Sequence, residues 1–239
     1  MSQLEAERSG HGWWPYIGPY FAFLLIVQVG GEFPESWLLF LLLLKLAVPA
    51  GLMISAFVRG VYPELRGYRV LSGGAALDVL VGLASALLWV VPYLLIPALS
   101  RPGPGEGFDP TQAGEALIPV TLSLRMLGYG LVTPFFEELF IRSFVMRYSD
   151  VYDRPVDFRD VPIARYTARS FWITVVVFTA GHVPWEWWVA IPWAAVTNLW
   201  FYHRRHVMAV VVVHAVANAS ILVAAIAAPA LGIDLWYFV

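Results

Sequence analysis

Three short patterns in this chain bring together residue types that can move protons: Glu137-Glu138-x-x-x-Arg142, Phe178-x-x-x-His182 and His214-x-x-x-Asn218. Each lies in, or at the end of, an apolar stretch. Ionisable side chains are costly inside a bilayer and by default mark functional sites. Residues at i and i+4 share a helix face, so Glu138 and Arg142 are expected to pair and neutralise each other. Glu137 is turned about 100° away and lacks that partner, which suits it to act as a base toward water. His214 and Asn218 share a face and present donors fit for a tetrahedral oxyanion. The chemistry read from these residues is hydrolysis by activated water. Glu137, helped by His182, deprotonates the water, and His214 with Asn218 holds the oxyanion.

Zinc is the rival chemistry. Glu137, His182 and His214 offer three ligands and leave one position for water. The His-Glu-x-x-His helix signature is absent. A ligand glutamate and a water-activating glutamate look alike in sequence; metal-free catalysis is the preferred reading. The bland reading is a structural Glu138–Arg142 pair with packed polar histidines.

These residues need a scaffold, and composition says which kind. The chain has 239 residues, is 59% hydrophobic and only 13% charged, with a mean hydropathy of +0.69. A soluble domain is about a quarter charged, so the expected fold is an all-α, polytopic transmembrane bundle forming one domain over 1–239. A net charge of −2 gives no footprint for nucleic acid. The absence of cysteine excludes disulfides, thiolate nucleophiles and thiolate metal ligands. Residues 1–12 are polar, with no small-x-small cleavage site after the first apolar run, so that run reads as a retained span.

Seven apolar segments are expected, at about 13–30, 37–58, 75–99, 115–136, 170–184, 187–202 and 206–228, against the roughly 20 residues a span requires. The segment ending at Pro184 is short. A kink at Pro134 would make 137–148 an eighth helix. With the N-terminus inside, the inner loops hold Arg8, Arg59, Arg66, Arg69, Arg147, Arg154, Arg159, Arg165, Arg169, Arg204 and Arg205, whereas the outer loops hold Arg101 among six acids. The positive-inside rule then puts Met1 in the cytoplasm and Val239 outside. The rise of 1.5 Å per residue puts Glu137 about 16 Å, His182 about 18 Å, and His214 and Asn218 about 12 and 18 Å from the inner ends of their segments. That is one common depth.

Other polar residues carry weaker expectations. Lys45 would snorkel to an interface, and Asp78 would cap a helix or sit in headgroups. Arg125 would pair with Glu138 or line the cavity. His11, His203 and His206 would be solvated, and Glu186 would cap a helix. Trp185, Trp187 and Trp188 would form an interfacial belt, or a gate above the cavity. Loop 101–114 reads as mobile and external, and the mixed-charge loop 149–169 as a solvated surface.

At the three motifs the sequence resembles the CPBP family of intramembrane proteases, which contains the CAAX prenyl endopeptidases and bacteriocin-processing enzymes. All three patterns match in order, and the clear resemblance covers about 115–228. It implies a helical intramembrane bundle, usually of eight helices. In it, Glu137 and His182 would activate water, and His214 and Asn218 would form the oxyanion hole. Glu138, Arg142 and Phe178 would support them, with no cofactor expected or zinc as the alternative. Tyr62-Pro63-Glu64-Leu65-Arg66 resembles members associated with exosortase sorting systems, so a bacterial inner membrane and an exosortase-system partner are expected. The implied partners are the bilayer and a peptide or lipidated protein substrate, not necessarily prenylated. Two other functions compete. One is a non-catalytic scaffold or bacteriocin-immunity-type protein. The other is a small transporter relaying protons through Glu137 and Glu138, which the lack of internal repeats disfavours.

Overall fold

The computed structural model describes residues 12–103 and 106–239. The expectations for 1–11, including Arg8 and His11, and for positions 104–105 lie outside the described residues. Seven helices carry the fold: α1 (Trp14–Gly30), α2 (Leu38–Val58), α3 (Gly73–Leu95), α4 (Glu115–Tyr148), α5 (Ala168–Ala180), α6 (Trp187–Arg204) and α7 (Val207–Ala227). There is no strand among the described residues. This follows from composition, because an apolar chain in lipid must satisfy its backbone internally and a helix does so within one segment.

Local chemistry sets the ends. The Ser72 hydroxyl accepts from the Ala75 amide at 3.1 Å at the start of α3, and Thr167 accepts from Ser170 at 3.0 Å at the start of α5. These are ordinary N-caps. His206, expected to be solvated, instead caps α7. Its Nδ1 accepts from the Met208 amide at 3.1 Å, and its Nε2 lies 3.0 Å from the Arg66 carbonyl.

Four helical stretches are long and apolar enough to cross a membrane: Glu35–Val58, Gly73–Leu95, Glu115–Tyr148 and Val207–Leu231. α1 and α5 are shorter apolar helices, while Thr197, Asn198, His203 and Arg204 dilute the apolar character of α6. Large apolar side chains such as Ile54, Leu87, Leu199 and Val223 face outward, as a lipid-contacting surface requires. Together these features describe a helical membrane protein.

Pro134 does not divide α4. The helix runs on through Glu137 to Tyr148, with π-helical stretches at Met126–Val132 and Leu139–Val145. A wider turn just before the proline accommodates its missing N–H and bulky ring, so the chain continues where an α-helix would kink.

α7 is the central helix, and α3, α4 and α6 pack around it. Its crossing with α3 is tight at Gly82, where a Cβ would stand 2.7 Å from Val216 Cβ and 2.8 Å from the Val213 carbonyl oxygen. Small residues permit this approach between membrane helices. Gly82→Leu is expected to force the pair apart and cost about 1–3 kcal/mol or more, read as a lowered unfolding midpoint in detergent. An unchanged midpoint would show that the crossing yields without cost.

Asp78 is neither a cap nor a headgroup contact. It is fully buried and accepts from Tyr68 Oη, Trp200 Nε1 and Arg204 Nε and Nη2 at 2.8–3.0 Å. The pairing with Arg204 was not visible in sequence because the two lie 126 positions apart. Loop 149–169 exposes residues 152–156, as a solvated surface should, but it is also anchored. Its Val151, Phe158 and Val161 are buried, and the Phe158 ring meets Tyr16 and Phe144 edge-on at 5.2 and 5.0 Å. Apolar residues at those positions fold the loop back onto the bundle. In loop 101–114 the Phe108 amide donates to the Trp236 carbonyl at 3.0 Å, so this part of the loop is anchored.

Candidate functional site

The three motifs converge. Glu137 comes from the middle of α4, Phe178 and His182 from the end of α5, and His214 and Asn218 from the middle of α7. Glu137, Phe178, His182, His214 and Asn218 line a single cavity of about 250 Å³. The common depth inferred from helical rise thus corresponds to a common space.

Glu138 and Arg142 pair as the i, i+4 spacing indicated. Arg142 Nη1 lies 3.1 Å from Glu138 Oε2, with both side chains fully buried. Arg142 Nη2 donates to Thr197 Oγ1 at 2.6 Å. The guanidinium also sits over the rings of Phe178 and Trp193, at 5.4 and 5.8 Å from their centroids. Phe178 and Trp193 stack on one another at 4.8 Å. Phe178 therefore supports the site from below, touching Arg142 on one side and His182, at 4.5 Å, on the other.

His214 links the two glutamates. Its Nδ1 is 2.8 Å from Glu138 Oε1, and its Nε2 is 3.7 Å from Glu137 Oε2. A carboxylate acceptor places the proton on Nδ1 and fixes the ring's tautomer and orientation. The Nε2 edge then faces the cavity beside Glu137, too far for a direct hydrogen bond. A donor at Nε2 requires protons on both ring nitrogens, with the Glu138 and Glu137 carboxylates on either side. The sequence had offered Glu138 only arginine partners, Arg142 and Arg125; its contact to His214 spans 76 positions and leaves no local signal.

His182 Nδ1 lies 2.8 Å from the Phe178 carbonyl. That contact orients the ring and leaves Nε2 for the cavity. Asn218 Nδ2 donates to the Tyr129 carbonyl at 2.8 Å, which uses one of the two amide protons. Among the described residues no cluster of three or more His, Asp or Glu side chains is arranged to hold a metal ion. Glu137, His182 and His214, the set named for zinc, share the cavity without forming such a cluster.

Tyr129 and Thr133 line the cavity beside the expected Glu137 and Arg125, and neither was recognised in sequence. Arg125, Tyr129, Thr133 and Glu137 form a stripe along α4 with a four-residue repeat, and all four line the cavity. An α-helix drifts about 40° per four residues, so this stripe would spiral away on a regular helix. The wider π turn at Met126–Val132 counters the drift. Arg125 takes the second of its two expected positions and does not pair with Glu138. Glu186 occupies the position before α6 but makes no capping bond; its side chain lines the cavity instead. Trp185 packs on Tyr93, Tyr237 and Phe238 near the cavity mouth, whereas Trp188 is exposed.

Residues 119–220 match the family model of the type II CAAX prenyl endopeptidase Rce1-like proteins. The matched region contains all three motifs, and it is the CAAX protease-like family that they resemble. No match to the chain is found among curated proteins or among solved structures.

Proposed function

Because residues 119–220 are an Rce1-like, CAAX protease-like region, we propose that this protein is an intramembrane endopeptidase. Its substrate is a membrane-associated or lipophilic peptide, cleaved by water without an acyl-enzyme. The observation that carries this reading is the convergence of Glu137, His182, His214 and Asn218 on one cavity, from three helices. In the reaction, Glu137 takes a proton from a water that His182 helps to orient. The resulting hydroxide attacks the peptide carbonyl. His214 Nε2 and the free Asn218 amide proton donate to the oxyanion, and Glu137 returns its proton to the leaving amine as the C–N bond breaks. Glu138 and Arg142 position His214.

A lipophilic substrate is supported by a second, apolar cavity of about 420 Å³, lined by Met53, Phe57, Leu131, Phe135, Leu139 and Met208 on the other side of α4. The charge distribution of the loops supports a cell-membrane protein with its N-terminus on the cytoplasmic side and its C-terminus outside. Bacterial residence and an exosortase-system partner rest on the Tyr62–Arg66 resemblance.

The test is cleavage by purified protein in liposomes, using a library of lipidated and transmembrane peptides. New termini are read by mass spectrometry, with and without a strong chelator. Cleavage that persists in chelator is the expected result. Loss in chelator that zinc restores would move Glu137, His182 and His214 to a metal site. Absence of cleavage across the library would count against an endopeptidase.

A further inference from the structure

Beyond α7 the chain turns at Ala228–Leu231 and comes back to the cavity as residues 233–239. Tyr237, Phe238 and Val239 line the same space as Glu137, His182, His214 and Asn218. Phe238 is 5% exposed, and its ring packs on Tyr93 and Trp185 with centroids 5.1 and 5.9 Å away. Its carbonyl accepts from Tyr129 Oη at 3.1 Å, which ties the segment to the α4 stripe that carries Glu137. Loop 101–114 holds it from elsewhere. The Phe108 amide donates to the Trp236 carbonyl at 3.0 Å, and a Cβ at Gly107 would run into the backbone of Trp236 and Tyr237. Among the described residues, these two hydrogen bonds are all that join 233–239 to elements before α7. The space it borders is small. At about 250 Å³ it falls below the roughly 300–1,000 Å³ of pockets that hold drug-sized ligands, and a peptide of several residues is larger still.

We propose that residues 233–239 are an autoinhibitory strap that shuts the cavity at rest and must swing away from Tyr129 and Trp185 before substrate enters. That the substrate is a peptide rests on the hydrolase reading given above; the closure does not. Something has to yield for a peptide to reach Glu137, and the helices around the cavity resist. α3 and α7 interlock at Gly82, and the buried Arg142 joins Glu138 of α4 to Thr197 of α6. The strap gives way at lower cost, since it leaves behind one phenol–carbonyl bond, one backbone bond and a few ring contacts. Lids of this kind open and close around a fixed constellation. Apparent affinity is then reduced by the fraction of molecules that stand open, so loosening the strap strengthens binding without altering a group that reacts.

The chain has no cysteine, so one introduced thiol reports access to the cavity without ligand or turnover. Ala217 lines the cavity and is 1% exposed. In Ala217→Cys protein in nanodiscs, the rate of modification by a water-soluble methanethiosulfonate follows the open fraction, and it is expected to be far slower than in the denatured chain. Gly107→Ala, outside the cavity, presses on the strap's backbone and should speed modification about five- to a hundredfold. Tyr129→Phe removes only the hydroxyl bonded to Phe238 and should speed it about two- to tenfold. A thiol at Ala190, buried in α6 and not lining the cavity, is the control and should not respond. A rate unchanged by Gly107→Ala overturns the proposal, as does modification at Ala217→Cys as fast as in the denatured chain. So does an equal acceleration at Ala190→Cys, which would mean that the whole bundle loosens. Cleavage by the same variants separates the two readings, because kcat/KM should rise by the same factor as access. Access that responds in a protein that cleaves nothing would remove the hydrolase reading and leave the strap standing; cleavage with unresponsive access would do the reverse.

Discussion

Glu137→Gln is expected to lower the hydrolysis rate by about a hundred- to ten-thousandfold while the protein folds normally. The amide has nearly the size of the carboxylate and still accepts a hydrogen bond, so packing is little disturbed. What it cannot do is take a proton from water. The side chain also borders the cavity rather than the close-packed core, with 16% of its surface open, so no buried charge is orphaned by the change. Glu137→Asp separates placement from basicity. It keeps the carboxylate but withdraws it from His214, where even a 1 Å displacement can cost about a hundredfold. Both are checked by initial cleavage rates in liposomes alongside unfolding midpoints. A glutamine variant within tenfold of wild type would remove Glu137 from the role of base.

The largest stability effect is expected at Arg142. Replacing it by alanine leaves Glu138 fully buried with only His214 as a partner, and breaking one half of a buried pair costs about 3–5 kcal/mol. The loss also frees Thr197 Oγ1 and removes the cation from between Phe178 and Trp193. The double variant Glu138→Gln/Arg142→Met is the informative companion. It removes both charges, so most of the stability should return. Activity should not return with it, because His214 would lose the carboxylate that orients its ring. Unfolding in detergent and cleavage rates read the two quantities separately. A single variant that loses less than about 1 kcal/mol would mean the pair is not structural.

Local spacing made much of this site legible. The i, i+4 rule named the Glu138–Arg142 pair correctly, and helical rise put the motif residues at one depth before any helix was placed. The seven apolar segments became seven helices for the same reason: each is a continuous run whose backbone can be satisfied only internally. The failures share a cause as well. Asp78 with Arg204, Glu138 with His214, and Glu64 with Ser143 and Arg147 are pairs between distant segments, and no periodicity encodes them. Asp78 in particular looks like a helix-end residue until its partner is known. In loop 149–169 the abundant charges announced the exposed surface, but the irregular spacing of Val151, Phe158 and Val161 hid its anchoring. Arg125 and Glu186 were visible as intramembrane or interfacial charges, but what separates a structural counter-ion from a cavity residue is the identity of the neighbour.

The π turn at Met126–Val132 sets two quantities independently. The axial distance between Arg125 and Glu137 depends on how many residues lie between them. Their angular phase depends on how those residues are wound. Rewinding the stretch as a regular α-helix with the same residues would leave the axial distance near about 18 Å but turn one end relative to the other by about 120° over the twelve positions. A helix of this kind keeps residues three turns apart in view of the same cavity, and the vulnerable parameter is phase, not length.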